Sequence, residues 1–416
     1  MTPEVKERIE QIQHGNVPEG YQDTAVGIIP NDWHIGTVRE CIKEYKLLSN
    51  DIEHVPVYSS SRRGLIPQSD YYDQREASET NLGYKVVPNG YVTYRHMSDD
   101  DVFHFNINKT GGEILVSSEY PVFTASDKGR LGFLIPALNG TARFRYFCKT
   151  QKLGGTRTRL YLENLKKYSL ALAPRDEQDK IAEILAAQDK QIELKEKLLA
   201  EKQRQKKYLM QRLLSGKKRL PGFDGEWKRD KLGKLFAERS ETKCEHLELL
   251  AITGTQGVIP RSQLDLKDNS SEDKSKYLRI CVGDIGYNTM RMWQGVSAYS
   301  NYEGIVSPAY TILKPNSMIN AKYFAYLFKM PDVVFLFYRF SQGLVDDTRN
   351  LKYENFKKIS VTYPADIEEQ NAIVAVLEKA DQEIKLIRQS IEQEKQKKKA
   401  LMQILLTGIV RVTTDK

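Results

Sequence analysis

The sequence predicts an α+β protein made of two tandem globular domains, each followed by one long helix, with the two helices pairing as an antiparallel coiled coil. Two observations support this prediction. Leu209–Gly216 (LMQRLLSG) recurs 192 positions later as Leu401–Gly408 (LMQILLTG), with six of eight residues identical. The segments before these motifs contain short β-rich runs separated by Gly, Asn, Asp and Ser, which is typical of α+β domains. A period of this length exceeds that of a solenoid and indicates duplication of a whole domain with its helix.

The composition fits this organisation. The 416 residues suffice for two or three domains with ordinary cores. The net charge of +8 favours a polyanionic partner, although a charge of this size also serves solubility. Because the sequence has no apolar segment typical of a signal peptide or membrane span, we expect a soluble cytoplasmic protein without a membrane partner. Reduced thiols, rather than disulfides or zinc ligands, are expected at the widely spaced Cys41, Cys148, Cys244 and Cys281.

Two uninterrupted helices are predicted, from 177 to 214 and from 369 to 406. Each stretch of 38 residues lacks Pro and Gly and would form a helix of about 57 Å. Each ends before a glycine, Gly216 or Gly408, which suits a helix end. Apolar residues follow a 4-3 spacing along both helices, so we expect the helices to pair within one chain.

Polar residues interrupt the two apolar stripes. They are Gln188, Lys195, Lys202 and Lys206 in the first helix and Glu394 and Lys398 in the second. For the lysine-rich segments 202–207 and 395–399 we favour a solvated helix face, and contact with DNA phosphates is the alternative. The stripe residues that we assign to helix pairing and subunit docking are Leu185, Ile192, Leu199, Leu209, Leu213, Leu377, Ile384, Ile391, Leu401 and Leu405.

The repeat divides the chain into five segments. We predict an N-terminal helix in 1–20, a first globular domain in 21–173, a first long helix in 174–219, a second globular domain in 220–363 and a second long helix in 364–416. Both globular domains open near a tryptophan, Trp33 or Trp227. Ile9–Gly15 resembles the end of a repeat unit, so the duplication looks circular. We therefore expect the first helix to pack near the C-terminal helix.

No catalytic constellation is recognisable in the sequence. It contains no G-x-x-x-x-G-K-[ST] for phosphate, no zinc-binding H-E-x-x-H and no G-x-S-x-G nucleophile motif. It also lacks any Pro-Pro dipeptide of the kind that amino-methyltransferases use to grip the target amine. The six histidines are not clustered. We therefore expect a protein that is not an enzyme and that binds neither a metal nor a cofactor.

Paired loops in the two globular domains are the candidate contacts with nucleic acid. Arginine can bind guanine, glutamine and asparagine can bind adenine, and serine and threonine can bind phosphates. A solvated turn is the alternative for any single residue, but paired placement in both domains favours the group. The candidates are Ser60, Arg62, Arg63, Thr156, Arg157 and Arg159 in the first domain and Thr255, Gln256, Arg261, Arg349 and Asn350 in the second. Aromatic residues such as Tyr94, Tyr287 and Trp293 are expected in the core rather than stacked on bases.

Taken together, these features resemble the specificity subunit of type I restriction-modification systems. The resemblance rests on two α+β domains that each open near a Trp and are each followed by Pro, Glu-Gln, a long helix and LMQ-x-LL-[ST]-G, and it covers residues 27–408. It implies that each domain is a target recognition domain for one half of a bipartite site in double-stranded DNA. It also implies that the helices set the spacer and dock two methyltransferase subunits, with two restriction subunits joining the larger complex.

The resemblance also implies where catalysis takes place. S-adenosylmethionine, ATP and Mg are expected on the partner subunits and not on this chain. Three alternatives stay open. They are a specificity subunit of a related type IIB- or IIG-like restriction-methyltransferase, a two-domain scaffold that binds protein instead of DNA, and a stand-alone nuclease or methyltransferase.

Overall fold

A computed structural model describes residues 2–51, 53–68, 83–152, 154–254, 256–264 and 271–412. The chain divides into two compact units. The first consists of Met1–Glu196 together with Ser390–Lys416, and the second of Lys197–Gln389. Each unit therefore contains one globular domain and a part of each long helix. The five segment boundaries given above stay predictions.

The first unit combines antiparallel strands with short helices. Its strands are β1 (Tyr21–Thr24), β2 (Gly27–Pro30), β3 (His34–Thr37), β4 (Ile42–Glu44), β5 (Leu48–Ser49), β6 (Tyr58–Ser61), β7 (Gly64–Pro67), β8 (Tyr84–Val87), β9 (Val92–Thr93), β10 (Met97–Ser98), β11 (Asn106–Ile107), β12 (Ile114–Val116), β13 (Val122–Ala125), β14 (Thr158–Arg159) and β15 (Ser169–Leu172). Its helices are α1 (Pro3–Gln13), α2 (Val38–Cys41), α3 (Leu131–Gly140), α4 (Ala142–Thr150), α5 (Leu162–Leu165) and the first part of α6 (Arg175–Leu213). The larger sheets have the orders β11-β9-β13-β4 and β12-β8-β5, and the other pairs are β1-β2, β3-β15, β6-β7 and β10-β14.

The second unit also combines antiparallel strands with short helices. Its strands are β16 (Trp227–Lys231), β17 (Phe236–Arg239), β18 (Leu250–Thr253), β19 (Gly257–Pro260), β20 (Leu278–Ile280), β21 (Ile285–Asn288), β22 (Ser297–Tyr299), β23 (Gly304–Val306), β24 (Tyr310–Pro315) and β25 (Ser360–Pro364). Its helices are α7 (Leu232–Leu235), α8 (Ala321–Leu327), α9 (Pro331–Phe340), α10 (Tyr353–Phe356) and most of α11 (Ile367–Leu405), with 3-10 turns at Arg261–Gln263, Met292–Gln294 and Asp346–Thr348. The larger sheet has the order β17-β24-β21-β22, and the pairs are β16-β25, β18-β19 and β20-β23.

The strand pairing of the first unit recurs in the second. The β6-β7 hairpin corresponds to β18-β19, and the sheet β11-β9-β13-β4 corresponds to β22-β21-β24-β17. In each unit an antiparallel pair, β3-β15 or β16-β25, joins the start of the domain to the strand that precedes the long helix. This confirms the predicted α+β class and the duplication.

The two long helices were predicted correctly. Helices α6 and α11 each contain 39 residues and begin and end within two residues of the predicted bounds. The glycines that follow, Gly216 and Gly408, adopt left-handed φ angles of 71° and 72°, which favour glycine and end a helix. Within the described part of the chain, no helix is long and apolar enough to cross a membrane.

A separate apolar core fills each unit. Tyr94 and Tyr287 are fully buried, one in each core, as predicted, and Trp293 is half-buried. The first core also includes Leu405 at the end of α11, and the second includes Leu213 at the end of α6. Each core is therefore completed by the end of the helix that follows the other domain, as a circular repeat requires.

The N-terminal helix α1 lies near the end of α11, as predicted. Arg8 Nη1 donates to the carbonyl oxygen of Ile409 at 3.3 Å, and its guanidinium lies 5.3 Å from the centroid of the Tyr21 ring. The Tyr21 hydroxyl donates to the carbonyl oxygen of Gly408 at 2.8 Å. No residue of α1 is fully buried, so these polar contacts mark where the helix docks.

In the first unit, α6 and α11 run side by side in opposite directions. Gln188 Nε2 donates to Glu394 Oε2 at 2.7 Å, and Lys195 Nζ donates to Glu394 Oε1 at 2.8 Å. Lys398 Nζ donates to Asp189. From Asp189 to Lys195 on α6, the partner on α11 falls from Lys398 to Glu394 and Ser390, which is the pattern of an antiparallel pair.

The second unit contains the same kind of pairing. Lys202 Nζ donates to Glu383 Oε2 at 2.8 Å, and Lys206 Nζ donates to Asp381. The polar residues that interrupt the apolar stripes are therefore the residues that join the helices. Several lysines of the lysine-rich segments thus pair with carboxylates of the opposite helix, and neither the solvated face nor DNA phosphates, the two interpretations given above, describes them.

The predicted stripe residues face inward. Seven of the ten are buried, and Leu199, Leu209 and Leu401 are half-buried. Their burial assigns them to helix pairing and to the two cores. Their predicted role in docking another subunit stays a prediction.

Candidate nucleic-acid interface

The β6-β7 hairpin presents two arginines at its tip. Arg62 and Arg63 form the two-residue turn, and Gly64 follows with a left-handed φ of 111°. The Ser61 hydroxyl donates to the carbonyl oxygen of Gly64 at 2.9 Å and accepts from Arg63 N at 3.1 Å. These local bonds fix the turn, and both arginines are exposed.

Ser60, another candidate contact residue, lies beneath this tip. Its side chain is buried, and its hydroxyl accepts from Asn106 Nδ2 at 2.8 Å and donates to the carbonyl oxygen of Thr93 at 3.4 Å. Asn106 Nδ2 also donates to the carbonyl oxygen of Ser61 at 2.9 Å. Ser60 therefore anchors the hairpin to the domain instead of extending from it.

An acidic segment lies between the two arginine-bearing loops of the first unit. Arg157 Nε donates to Asp99 Oδ1 at 2.8 Å, and Arg62 Nη2 donates to Asp100 Oδ1. The hydrogen bond from Arg62 lowers the pKa of the Asp100 carboxyl. The two loops, which are far apart in sequence, thus meet at consecutive aspartates. Spacing of the arginines alone could not identify these partners.

The acidic segment is itself held in one conformation. Asp101 has a left-handed φ of 61°, and the buried Thr158 hydroxyl donates to its carboxylate. The Ser98 hydroxyl donates to Asp100 Oδ1 at 2.9 Å and accepts from Val102 N at 3.1 Å. The carboxylates of Asp100 and Asp101 are therefore held in place by bonds within the first unit.

The loop that carries Arg157 begins with two glycines. Gly154 and Gly155 have left-handed φ angles of 72° and 78°, where glycine avoids strain. Thr156 and Arg159 are exposed on either side of Arg157. Of the six candidates in the first domain, Ser60 alone is buried.

An open cleft of about 580 Å³ lies beside the hairpin tip, and its lining includes Arg62, Arg63, Arg95, Asp99 and His104. Among the residues that the structure describes, Arg63 and Arg95 make no ion pair. Burial lowers the pKa of His104, so this side chain is neutral at pH 7. The arginines therefore give the cleft its positive charge, which suits a phosphate backbone.

In the second unit, Arg349 is held on three sides. Its Nε donates to Asp346 Oδ1 at 2.8 Å, its Nη2 donates to the Tyr338 hydroxyl at 2.9 Å, and its guanidinium lies 4.0 Å from the centroid of the Tyr338 ring. Gln342 and Asn350 exchange two backbone hydrogen bonds of 2.9 and 2.7 Å that close the loop. Arg349 and Asn350 are both half-buried in this closed loop.

The other candidates of the second unit lie around the β18-β19 hairpin. Gln256 is exposed, and its backbone N–H donates to the Thr253 hydroxyl at 2.8 Å. Arg261 is half-buried at the start of a 3-10 turn. Thr255 lies outside the described residues. A cleft of about 760 Å³ beside this hairpin includes Gln256 and Lys329 in its lining.

The cysteines and acidic residues offer no metal site within the described ranges. The structure contains no group of three or more His, Cys, Asp or Glu side chains there that could hold a metal ion. All four cysteines are free thiols, as the sequence indicated.

Two repeated α+β domains with long pairing helices and arginine-bearing loops define a class of proteins with two recognition domains in one chain. The family model of the type I restriction modification DNA specificity domain matches residues 80–202 and 263–396. Because these matches span more than half of the chain, the chain belongs to this family. It is the specificity subunit of a type I restriction-modification system, a non-catalytic recognition subunit.

Three similar proteins match this chain over nearly its whole length. A protein of Methanocaldococcus jannaschii that is described as a type I restriction enzyme MjaX specificity subunit is 22% identical over 437 residues, which cover 95% of this chain and 98% of that protein. The crystal structure of a type I restriction-modification S subunit from M. genitalium has a TM-score of 0.54 at 15% identity and covers 92% of this chain and 97% of its own. A chain from a structural study of complex assembly in a type I system also has a TM-score of 0.54 at 15% identity. The match covers 92% of this chain and 99% of that chain. Because their sequence identity to this chain is only 15%, these two structures support its fold alone.

Proposed function

We propose that each unit binds one half of a bipartite site in double-stranded DNA. The observation that carries the proposal is the meeting of two loops, predicted separately from sequence, at one cleft in the first unit. The tip of the β6-β7 hairpin and the loop around Arg157 both contact Asp99–Asp100 beside that cleft. The corresponding hairpin and arginine loop recur in the second unit.

The chemistry of these loops fits duplex DNA. Exposed arginines that make no ion pair attract phosphates, and this attraction gives affinity without sequence information. Arginines with a fixed orientation can donate two hydrogen bonds to guanine in the major groove. Arg63 and Arg95 suit the first task, and Arg157 suits the second. Arg349, whose Nε and Nη2 are occupied, could donate to a base through Nη1.

We also propose that α6 and α11 set the distance between the half-sites and dock two methyltransferase subunits. Leu194 on α6 and Leu386 on α11 are 192 positions apart, and their side chains are 53% and 57% exposed. A pair of equivalent exposed leucines offers equivalent contacts to two copies of one partner. Two restriction subunits would complete the complex. S-adenosylmethionine, ATP and Mg would bind to these partners.

A domain exchange tests the proposal. Residues 22–168 would be replaced by the same region of a relative with a different target, and cells carrying the system would be analysed by methylome sequencing. We expect one half of the methylated motif to change while the other half and the spacer are kept. The matched exchange of 228–359 should change only the other half. A change in both halves from either exchange would contradict the assignment of one half-site to each domain.

A further inference from the structure

Arg157 and Arg349 lie in corresponding loops of the two units, three residues before Leu160 and two residues before Leu351, the leucines at which the matching segments begin. Each donates its Nε to a carboxylate oxygen at 2.8 Å. The carboxylates have different origins in the chain. Asp99 lies 58 residues before its arginine, whereas Asp346 lies three residues before. In each loop an aspartate thus binds the Nε of an arginine, although neither the arginines nor the aspartates are at aligned positions of the repeat.

The contact has a definite chemical effect on the arginine. The carboxylate occupies Nε of Arg157, whose side chain is 50% exposed, and leaves the terminal nitrogens, which make no hydrogen bond to the described residues, available to donate to a base edge. For Arg349, the Tyr338 hydroxyl uses Nη2, and Nη1 stays available. The carboxylate also cancels much of the positive charge that would bind any phosphate. The arginine keeps its hydrogen-bonding geometry and loses its unspecific attraction.

We propose that Asp99 and Asp346 are positioning residues that determine specificity, by orienting Arg157 and Arg349 for base contacts and by weakening binding to non-matching DNA. The inference rests on the proposed function and adds the residues that separate specific from unspecific binding. Asp100 also binds an arginine of the hairpin tip, but through Nη2 of Arg62. Since the side chains of Asp99 and Asp346 are 69% and 67% exposed, a DNA phosphate approaching either arginine meets the carboxylate.

The first test measures binding of the full chain to a random-sequence DNA duplex by fluorescence anisotropy over a range of salt concentrations. Asp99→Asn and Asp346→Asn keep the size of the side chain and remove its charge. Each variant should bind random DNA about five-fold more tightly at 0.15 M salt, with a salt slope steeper by about 0.9. Asp127→Asn and Asp224→Asn make the same charge change at exposed sites outside the arginine loops and should alter binding less than two-fold.

The second test uses methylome sequencing of cells that carry each variant with its partner subunits. Asp99→Asn should relax the methylated motif in one half only, and Asp346→Asn in the other half only. Asp99→Glu and Asp346→Glu, which keep the charge, should bind random DNA as the wild type does. Thermal unfolding checks that each variant is folded, and because the two positions lie in different units, either one tests the idea independently.

Two results would overturn the inference while leaving the proposed function intact. One is unchanged binding of random DNA by both asparagine variants. The other is an equal effect of the control variants, which would reduce the result to net charge. If the wild-type chain with its methyltransferase partner binds no DNA and specifies no methylation motif, the proposed function itself fails, and this outcome is distinct from the first two.

Discussion

Arg411 donates two hydrogen bonds to the carboxylate of Glu177, from Nε and Nη2, each 2.8 Å long. Glu177 stands in the first turn of α6 and is buried, and it also accepts from Trp33 Nε1 at 2.9 Å. In the second unit, Arg219 binds Glu369 in the same way. In each domain, therefore, a buried glutamate is bound by an arginine that follows the long helix of the other domain. This contact explains why a glutamate stands in the first turn of both helices.

Arg411→Ala should destabilise the first unit. The side chain of Glu177 is 3% exposed, and its charge would lose its main partner. Breaking such a pair costs a few kcal/mol when both groups are buried, and since Arg411 is partly exposed we expect about 2 kcal/mol. Urea unfolding measures the loss, and hydrogen exchange should localise it to the first unit. Arg219→Ala is the matched variant and should affect only the second unit. Equal effects on both units from either variant would contradict the assignment.

How far the sequence predicts the structure depends on the range of the contacts. The long helices and their ends were predictable, because the apolar spacing and the terminal glycines act locally. The pairing of Lys206 with Asp381 was not, since it depends on the register of an antiparallel pair. A clue existed, because Lys398 and Asp189 repeat the same two residue types 192 positions away.

The loops were predictable in position but not in partners. The paired arginines could be found from sequence because turn residues and arginines recur in both domains. The contact between Arg157 and Asp99 crosses 58 residues, and the second unit makes it with Asp346 instead, so comparison of the repeats gives no hint of it. Burial of Ser60 likewise follows from how its hairpin packs, which spacing cannot show.

Lys329 should give the stability of the second unit a characteristic pH dependence. Its Nζ donates to the carbonyl oxygens of Gly295 and Ser297 at 2.7 and 2.6 Å, and burial lowers its pKa to about 8. Between this pKa and the value near 10.4 of a free lysine, the unfolded chain binds more protons than the folded chain, so the contribution of Lys329 to stability rises with pH.

The comparison with Lys329→Met isolates this effect. From pH 7.5 to 9.5, the wild type should gain about 2 kcal/mol in free energy of unfolding relative to the variant. Urea titrations at the two pH values measure it. A constant difference between the proteins would show that the ammonium is not desolvated in the fold.

The four thiols should differ strongly in reactivity. Burial raises the pKa of Cys41 to about 11 and that of Cys148 to about 12, so both are protonated at neutral pH and shielded. Burial also raises the pKa of Cys281. With iodoacetamide under native conditions, we expect Cys244 to react first, Cys281 more slowly, and the two buried thiols only in urea. Peptide mass spectrometry measures the rates, and early labelling of Cys148 would argue against the described core.

Leu194→Glu and Leu386→Glu should each remove one methyltransferase subunit from the complex. A charge at the centre of an apolar contact costs several kcal/mol of binding, which is enough to empty one docking position. Native mass spectrometry of the co-expressed subunits should show one copy for each single variant and none for the double variant. Gln203→Glu serves as control, because exposed Gln203 lies nine residues farther along α6 and on the opposite face from Leu194. Retention of both copies by the double variant would place the docking surface elsewhere.

Lengthening both long helices together should lengthen the DNA spacer. Seven residues inserted between Glu196 and Lys197 and seven between Gln389 and Ser390 keep the apolar stripes in phase. They also leave the contacts within each unit untouched, because both insertions fall at the boundary between the units. Seven helical residues add about 10.5 Å, which corresponds to roughly three base pairs of duplex at 3.4 Å each. Methylome sequencing should therefore find the same two half-sites with a spacer longer by about three base pairs. Insertion into α6 alone would leave the added residues without a counterpart in α11 and is expected to lower stability without giving a defined new spacer. An unchanged spacer in the double insertion would show that the helices do not set the distance between the half-sites.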